Sequence, residues 1–291
     1  MFREAIMFTA LTLMFLLLGY AIGYLVGDPV SMMTIALVVA MLMNAVSYLY
    51  GDKLVMRMTG ARLVSEREAP GLYGVVRRVA AEAKIPMPKV GIVSTLSPNA
   101  FATGRSPNNS VVCVTEGALR LFNEDELEGV IGHEMSHVLH RDTLIAAIAA
   151  TLVGALSWLT YMGRMGLMFG GGGSGGRGRD NGGTMLFALV GLIFLPIAAS
   201  LMQLSISRGR EYSADEEGAR ITGHPLSLAS ALGKIERAVK GGYTIRANPS
   251  TSPLWIANPF AGNGLAELFM THPLTSKRVA RLERLDQELH R

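Results

Sequence analysis

Apolar residues in this chain are gathered into four long runs, and polar residues fill the segments between them. The runs 5–26, 30–50, 143–163 and 184–207 are 22, 21, 21 and 24 residues long and contain no charged residue. Each exceeds the roughly 18 apolar residues at which a membrane-spanning helix becomes the natural reading. The first is long, is followed at once by the second after Gly27-Asp28-Pro29, and shows no small-residue cleavage pattern, so the pair predicts two anchored helices instead of a cleaved leader. Between the runs the periodicity changes. Residues 66–84 repeat at helical spacing and stop at Ile85-Pro86-Met87-Pro88, because a residue before proline avoids the helix. Residues 89–94, 100–103 and 110–115 read as short strands, with Pro107-Asn108-Asn109 as the turn between the last two. Near the end, Val279, Leu282, Leu285 and Leu289 line one face of a charged segment, an amphipathic helix over 276–290. A glycine-rich connector occupies 170–183 and lacks the Gly-Lys-Ser or Gly-Lys-Thr of a phosphate loop.

Chemistry is concentrated next to the third run. His133-Glu134-Met135-Ser136-His137 places two imidazoles four residues apart, on one face of an apolar helix. A hydrolytic zinc site needs about three protein ligands and an open position for water, with a carboxylate near enough to take the water's proton. His133 and His137 fit two ligand positions, and Glu134 fits the general base. His140 shares their face, but seven residues at about 1.5 Å each separate it from His133 by roughly 10 Å, too far for one ion. The better third ligand is Glu211, in Arg208-Gly209-Arg210-Glu211-Tyr212-Ser213-Ala214-Asp215. Asp215, one turn later on the same face, is placed to accept a hydrogen bond from the far nitrogen of a ligand histidine.

Taken in order, Asn99-Ala100-Phe101-Ala102-Thr103-Gly104, His-Glu-Met-Ser-His, Ser207 to Asp215 and Thr271-His272-Pro273 resemble the HtpX-type membrane zinc metalloproteases, relatives of the CAAX prenyl endopeptidases. The resemblance spans nearly the whole chain. It implies one zinc ion per chain on His133, His137 and Glu211, a catalytic Glu134, and a role in membrane-protein quality control or stress response. It also makes His272 and Arg278, which follow a His-Pro…Arg spacing, candidate substrate or transition-state contacts. Zinc proteases commonly bind substrate as an added strand, so Asn99 and Ala100, in the segment 99–104, are candidates for a substrate-binding strand edge.

The expected fold is α+β and predominantly helical, with about four transmembrane helices and a zincin-like catalytic domain carrying a small antiparallel sheet. The expected division is two transmembrane helices in 1–50, a catalytic part in 51–142, two further membrane helices in 143–207, and a second catalytic part in 208–291. Lys53, Arg57, Arg62 and Arg67 follow the second run while the 27–29 turn has no lysine or arginine, so 51–142 belongs in the cytoplasm. The expected location is the cell (inner) membrane, multi-pass, with the active site on the cytoplasmic side. If His137 and Glu211 share an ion, the chain between them crosses the bilayer twice or not at all.

Composition agrees with a bilayer partner: 49% of residues are hydrophobic and 17% charged. The net charge of +4 is modest, which argues against nucleic acid; the resemblance implies membrane proteins or unfolded polypeptides as substrates. The single Cys113 excludes an internal disulfide, and its Val111-Val112-Cys113-Val114 setting reads as a buried small hydrophobe. A transporter or scaffold with an incidental or structural metal is the alternative. The runs hold no ionisable residue to mark a transport path, and a closed structural site would not need Glu134.

Overall fold

A computed structural model of the chain describes residues 2–154, 207–243, 245, 249–257 and 273–290. It opens with a helical hairpin, α1 (Phe2–Val26) and α2 (Pro29–Thr59). The Asp28 side chain caps α2 by accepting from the Ser31 amide at 3.2 Å, and Pro29 supplies the preset φ of a first helical position. The two helices approach closely at small residues: a Cβ on Gly19 would stand 2.5 Å from the Ala36 Cβ. Asn44 also donates across the pair to the Thr12 hydroxyl at 3.1 Å. Both helices are long and apolar enough to cross a membrane. They are also mostly uncovered, Leu17 being 70% and Val30 75% exposed, a surface that water would not tolerate over this length.

After the left-handed Gly60 that ends α2 come β1 (Ala61–Leu63), α3 (Pro70–Glu82), β2 (Lys89–Val93), β3 (Ala100–Ser106) and β4 (Asn109–Thr115). The helix begins at Pro70 and not at residue 66, because the Glu68 carboxylate turns back to accept from the Ser65 amide and hydroxyl. The sheet order is β1-β2-β4-β3. It is mixed and not antiparallel as expected: β2 runs parallel to β4, whereas β1–β2 and β3–β4 are antiparallel. The link 94–99 causes this. It crosses the end of β4, where the Gly117 amide donates to the Thr95 carbonyl at 2.9 Å and the Thr115 amide to the Asn99 carbonyl at 3.0 Å, and so delivers β3 to the far side of β4.

Both faces of the sheet are covered, which is why its central strands are near-continuous apolar runs. Ala100, Ala102, Val112 and Val114 face the main core, shared with α3 and with α5 (Glu124–Leu139). Phe101, Val111 and Cys113 face a second core, built from Val55 of α2, Trp255, and Ala147 and Ala150 of the next helix, α6 (Asp142–Gly154). The short α4 (Glu116–Leu121) joins β4 to α5. The remaining described elements are α7 (Arg208–Thr222), α8 (Pro225–Lys240), a 3-10 turn (Pro249–Leu254) and α9 (Thr275–Leu289).

Of the four expected membrane helices, α1 and α2 meet the length and composition of a span among the described residues. The third run begins as α6, whose Leu144, Ile145, Ile148 and Leu152 pack on Met7, Leu11 and Met14 of α1. Its continuation from 155, the fourth run before Ser207 and the 170–183 connector lie outside the described residues.

Candidate metal centre

The site rests on α5, whose start is fixed by a reciprocal cap. The Asn123 side chain accepts from the Glu126 amide at 2.8 Å, and the Glu126 carboxylate accepts from the Asn123 amide at 3.0 Å. Glu126 also accepts from Lys234 and Ser230 of α8, both at 2.7 Å. Against α5 lies α7, and the two backbones meet at glycines: a Cβ on Gly132 would stand 2.8 Å from the Gly218 carbonyl oxygen, and one on Gly218 2.5 Å from the His133 nitrogen. Glu211, Asp215, Gly218 and Thr222 all lie on the buried side of α7, so this contact sets the two acids against the histidines.

His133, His137 and Glu211 each offer a ligand atom within 4.8 Å of the others. His137 Nε2 lies 3.4 Å from Glu211 Oε1, and His133 Nε2 lies 3.9 Å from Glu211 Oε2. Two atoms each about 2.1 Å from a tetrahedral zinc stand roughly 3.4 Å apart, so the spacing fits one ion. Two further observations agree. His133 Nε2 is buried without a hydrogen-bond partner, although His133 is 1% exposed. His133 Nδ1 lies 3.0 Å from Asp215 Oδ1, so Nδ1 carries the proton and Nε2 presents its lone pair to the cluster. His137 Nδ1 is similarly placed 3.4 Å from Asp142 Oδ2.

The electrostatics of the pocket favour a cation. The carboxylates of Glu134, Glu211, Asp215 and Asp142 converge there, with Arg278 on Asp215 and Arg210 Nε 3.5 Å from Asp142. Burial pushes the Glu134 carboxyl up to about 7, and the Glu211 charge adds to that while His137 opposes it. His133 is carried down to about 4 by burial, against the pull of Asp215. Burial alone would lower His137 too, but its contacts to Asp142 and Glu211 outweigh that and raise it to about 10. Glu134 is held in place by the sheet: its Oε2 accepts from the Ala102 amide of β3 at 2.8 Å.

The family model described as Peptidase family M48 matches residues 66–286, three quarters of the chain and all of this machinery. The chain belongs to peptidase family M48. Among its M48 relatives, a Protease HtpX homolog of Pyrococcus furiosus is 51% identical over 268 residues, covering 92% of this chain and 91% of the relative. Another, from Syntrophobacter fumaroxidans, is 46% identical over 281 residues, covering 97% and 98%. The crystal structure of S. mikatae Ste24p has a similar fold, with a TM-score of 0.50 at 17% identity; the alignment covers 97% of this chain and 65% of Ste24p. With its uncovered apolar hairpin, this M48 chain is a membrane-associated metalloprotease, and the resemblance to HtpX-type enzymes holds.

Of the residues singled out in the sequence, His133, Glu134, His137, Glu211 and Asp215 come together. His140 does not: it caps α5 with its Nε2 2.8 Å from Glu217, its side chain 58% exposed. Arg278 reaches the cluster from α9 and is itself buried, donating from Nε and Nη2 to the two Asp215 oxygens and from Nη1 to the Ile256 carbonyl at 2.8 Å. Asn99 and Ala100 are both buried: Asn99 precedes β3 and turns its backbone to Thr115 while its side-chain amide donates to the Ala257 carbonyl, and the Ala100 carbonyl, on the outer edge of β3, accepts from the Ile256 amide. His272 lies outside the described residues.

Sequence reasoning missed Asp142, the Ala102 amide and the two glycines. Asp142 had a weak signal, being an acid just past the end of the histidine helix. Gly218 had a better one, seven residues after Glu211 and therefore on the same face.

Proposed function

We propose that this protein is a zinc endopeptidase of the cell membrane, holding one zinc ion per chain on His133, His137 and Glu211 and cutting membrane proteins or unfolded polypeptides on the cytoplasmic side. The observation that carries the reading is the convergence of a ligand atom from each of His133, His137 and Glu211 within 4.8 Å, beside a buried Glu134. When bound, zinc polarises the scissile carbonyl and lowers the pKa of water toward neutrality. Glu134 takes a proton from the attacking water and returns it to the leaving amine, a task matched by a carboxyl lifted to about 7. Asp215, clamped by Arg278, keeps the His133 proton on Nδ1 and is a positioning residue, as is Arg278.

Substrate adds to β3, an outer strand of the sheet. The outer edge is occupied by the Ile256 amide on the Ala100 carbonyl, Glu134 on the Ala102 amide and Thr143 on the Gly104 carbonyl, so a peptide lying along it displaces the Ile256 amide and takes its place beside Glu134. The short separation of α5 from α6, which starts at Asp142, keeps the site near the bilayer and favours membrane-proximal bonds and unfolded segments, as quality control requires. Glu134→Gln tests the mechanism. Cleavage of a model membrane protein should fall by several orders of magnitude while bound zinc stays at the wild-type level; cleavage at the wild-type rate refutes the assignment.

A further inference from the structure

On the side of the sheet away from α5, a cavity of about 180 Å³ opens where α2, the start of α6 and the strand ends of β2, β3 and β4 meet. Its charged walls are Lys53 of α2, Lys89 of β2 and Arg105 of β3, against the single acid Asp52. Among the described residues no carboxylate lies within ion-pair distance of the three cations, so their charge is available. Two of them rest on aromatic rings instead: Lys53 Nζ is 5.3 Å from the Tyr50 centroid, and Arg105 Cζ is 5.7 Å from that of Tyr48. The cavity also has an unsatisfied polar group. Ser47 is 0% exposed, lines this space, and its hydroxyl has no hydrogen-bond partner.

The depth of the cavity identifies the occupant. The uncharged run 30–50 spans 21 residues, about 31 Å as helix, close to the thickness of a hydrocarbon core. Residues 47–53 therefore fall at the head-group level, where the exposed Tyr48 and Tyr50 belong to an interfacial aromatic belt. An anion reaching this position comes from the lipid leaflet.

We propose that this cavity binds the phosphate of an anionic glycerophospholipid, with Lys53, Lys89 and Arg105 around the phosphate oxygens and the Ser47 hydroxyl donating from the inner wall. The inference rests on α2 crossing the bilayer. Arg105 follows Gly104 on β3, whose carbonyl accepts from Thr143 of α6 at 2.9 Å, so the head group also ties this strand to α2 and α6.

The test uses the full-length protein in nanodiscs of phosphatidylcholine with and without phosphatidylglycerol, with retained lipid counted by native mass spectrometry. Wild type should retain phosphatidylglycerol in preference to phosphatidylcholine. The triple variant Lys53→Gln/Lys89→Gln/Arg105→Gln should bind it on the order of 100-fold more weakly. Lys89→Gln alone, at an exposed position, should show about a fivefold loss, and Ser47→Ala, which removes only the hydroxyl oxygen, a loss of similar size. Equal retention by wild type and triple variant overturns the inference. Displacement of the lipid by inorganic phosphate at comparable concentration overturns the lipid assignment in favour of a free-phosphate site. An alkaline carbonate wash of the membranes separates the two readings: protein released by the wash refutes the crossing itself, whereas protein that stays embedded yet binds no phosphatidylglycerol refutes the head-group site alone.

Discussion

Replacing Gly218 with alanine probes how the metal centre is assembled without touching a ligand. The added Cβ would lie 2.5 Å from the His133 nitrogen, 2.7 Å from the Gly132 carbonyl carbon and 2.8 Å from the His133 Cα. All three are backbone atoms, so no side chain can rotate away. Moving 2.5 Å out to an ordinary 3.4 Å contact requires α5 and α7 to separate by about 0.9 Å, several times the roughly 0.2 Å tolerance of metal–ligand distances. Overpacking of this kind costs about 1–3 kcal/mol. Strain relieved by parting the helices is taken from metal binding, which at 1.4 kcal/mol per tenfold weakens zinc by about 5- to 100-fold. A chelator-competition titration of the purified protein measures this, with helix content followed by circular dichroism. Gly209→Ala is the control, since a Cβ there meets only the Ser207 hydroxyl at 3.6 Å. If Gly218→Ala holds zinc with wild-type affinity and unchanged helix content, the glycine crossing does not set the ligand geometry.

Metal analysis of two further variants distinguishes the ligand schemes: Glu211→Ala should lose most of its bound zinc, whereas His140→Ala, changed at an exposed helix cap, should keep it. Arg278→Met leaves Asp215 buried without its bidentate partner, and a loss of about 3–5 kcal/mol in unfolding stability is expected; a variant as stable as wild type would show that Asp215 is satisfied elsewhere. Burial works against ionised Glu126, yet Lys234, Ser230 and the Asn123 amide hold its pKa below the ordinary 4.5. A lowered carboxylate adds stability above its unfolded pKa and loses it as pH falls through the folded value. Lys234→Met should therefore flatten the decline in melting temperature below pH 4.5, and an unchanged acid limb would refute the role of this pair.

The cluster that offers metal ligands was legible because its residues are local. His133, Glu134 and His137 share one helix, and Glu211 and Asp215 share another, so spacing alone displayed both halves. What joins the halves was not displayed, since glycines such as 132 and 218 act through the side chain they lack. The three sheet strands read from their apolar character were in place, but their pairing was not legible. The runs at 90–93 and 111–114 are apolar throughout because both faces are buried, and that signal belongs to central strands, parallel or not. Strand β1 escaped notice: three residues behind a long helix show no alternation. For Arg278 the resemblance suggested contact with substrate or transition state; in the structure it is buried, with Nε and Nη2 donating to Asp215 and Nη1 to the Ile256 carbonyl. A buried guanidinium and a substrate-facing one look alike in a charged helix.

The clamp from His133 through Asp215 to Arg278 also bears on timing during synthesis. Its first and last members are 145 positions apart, and the helix carrying the histidines leaves the ribosome long before α9 does. A growing polypeptide that already displays His133, Glu134 and His137 still lacks the guanidinium that steadies Asp215. The contacts that hold Asp215 against His133 are thereby completed only once position 278 has been translated.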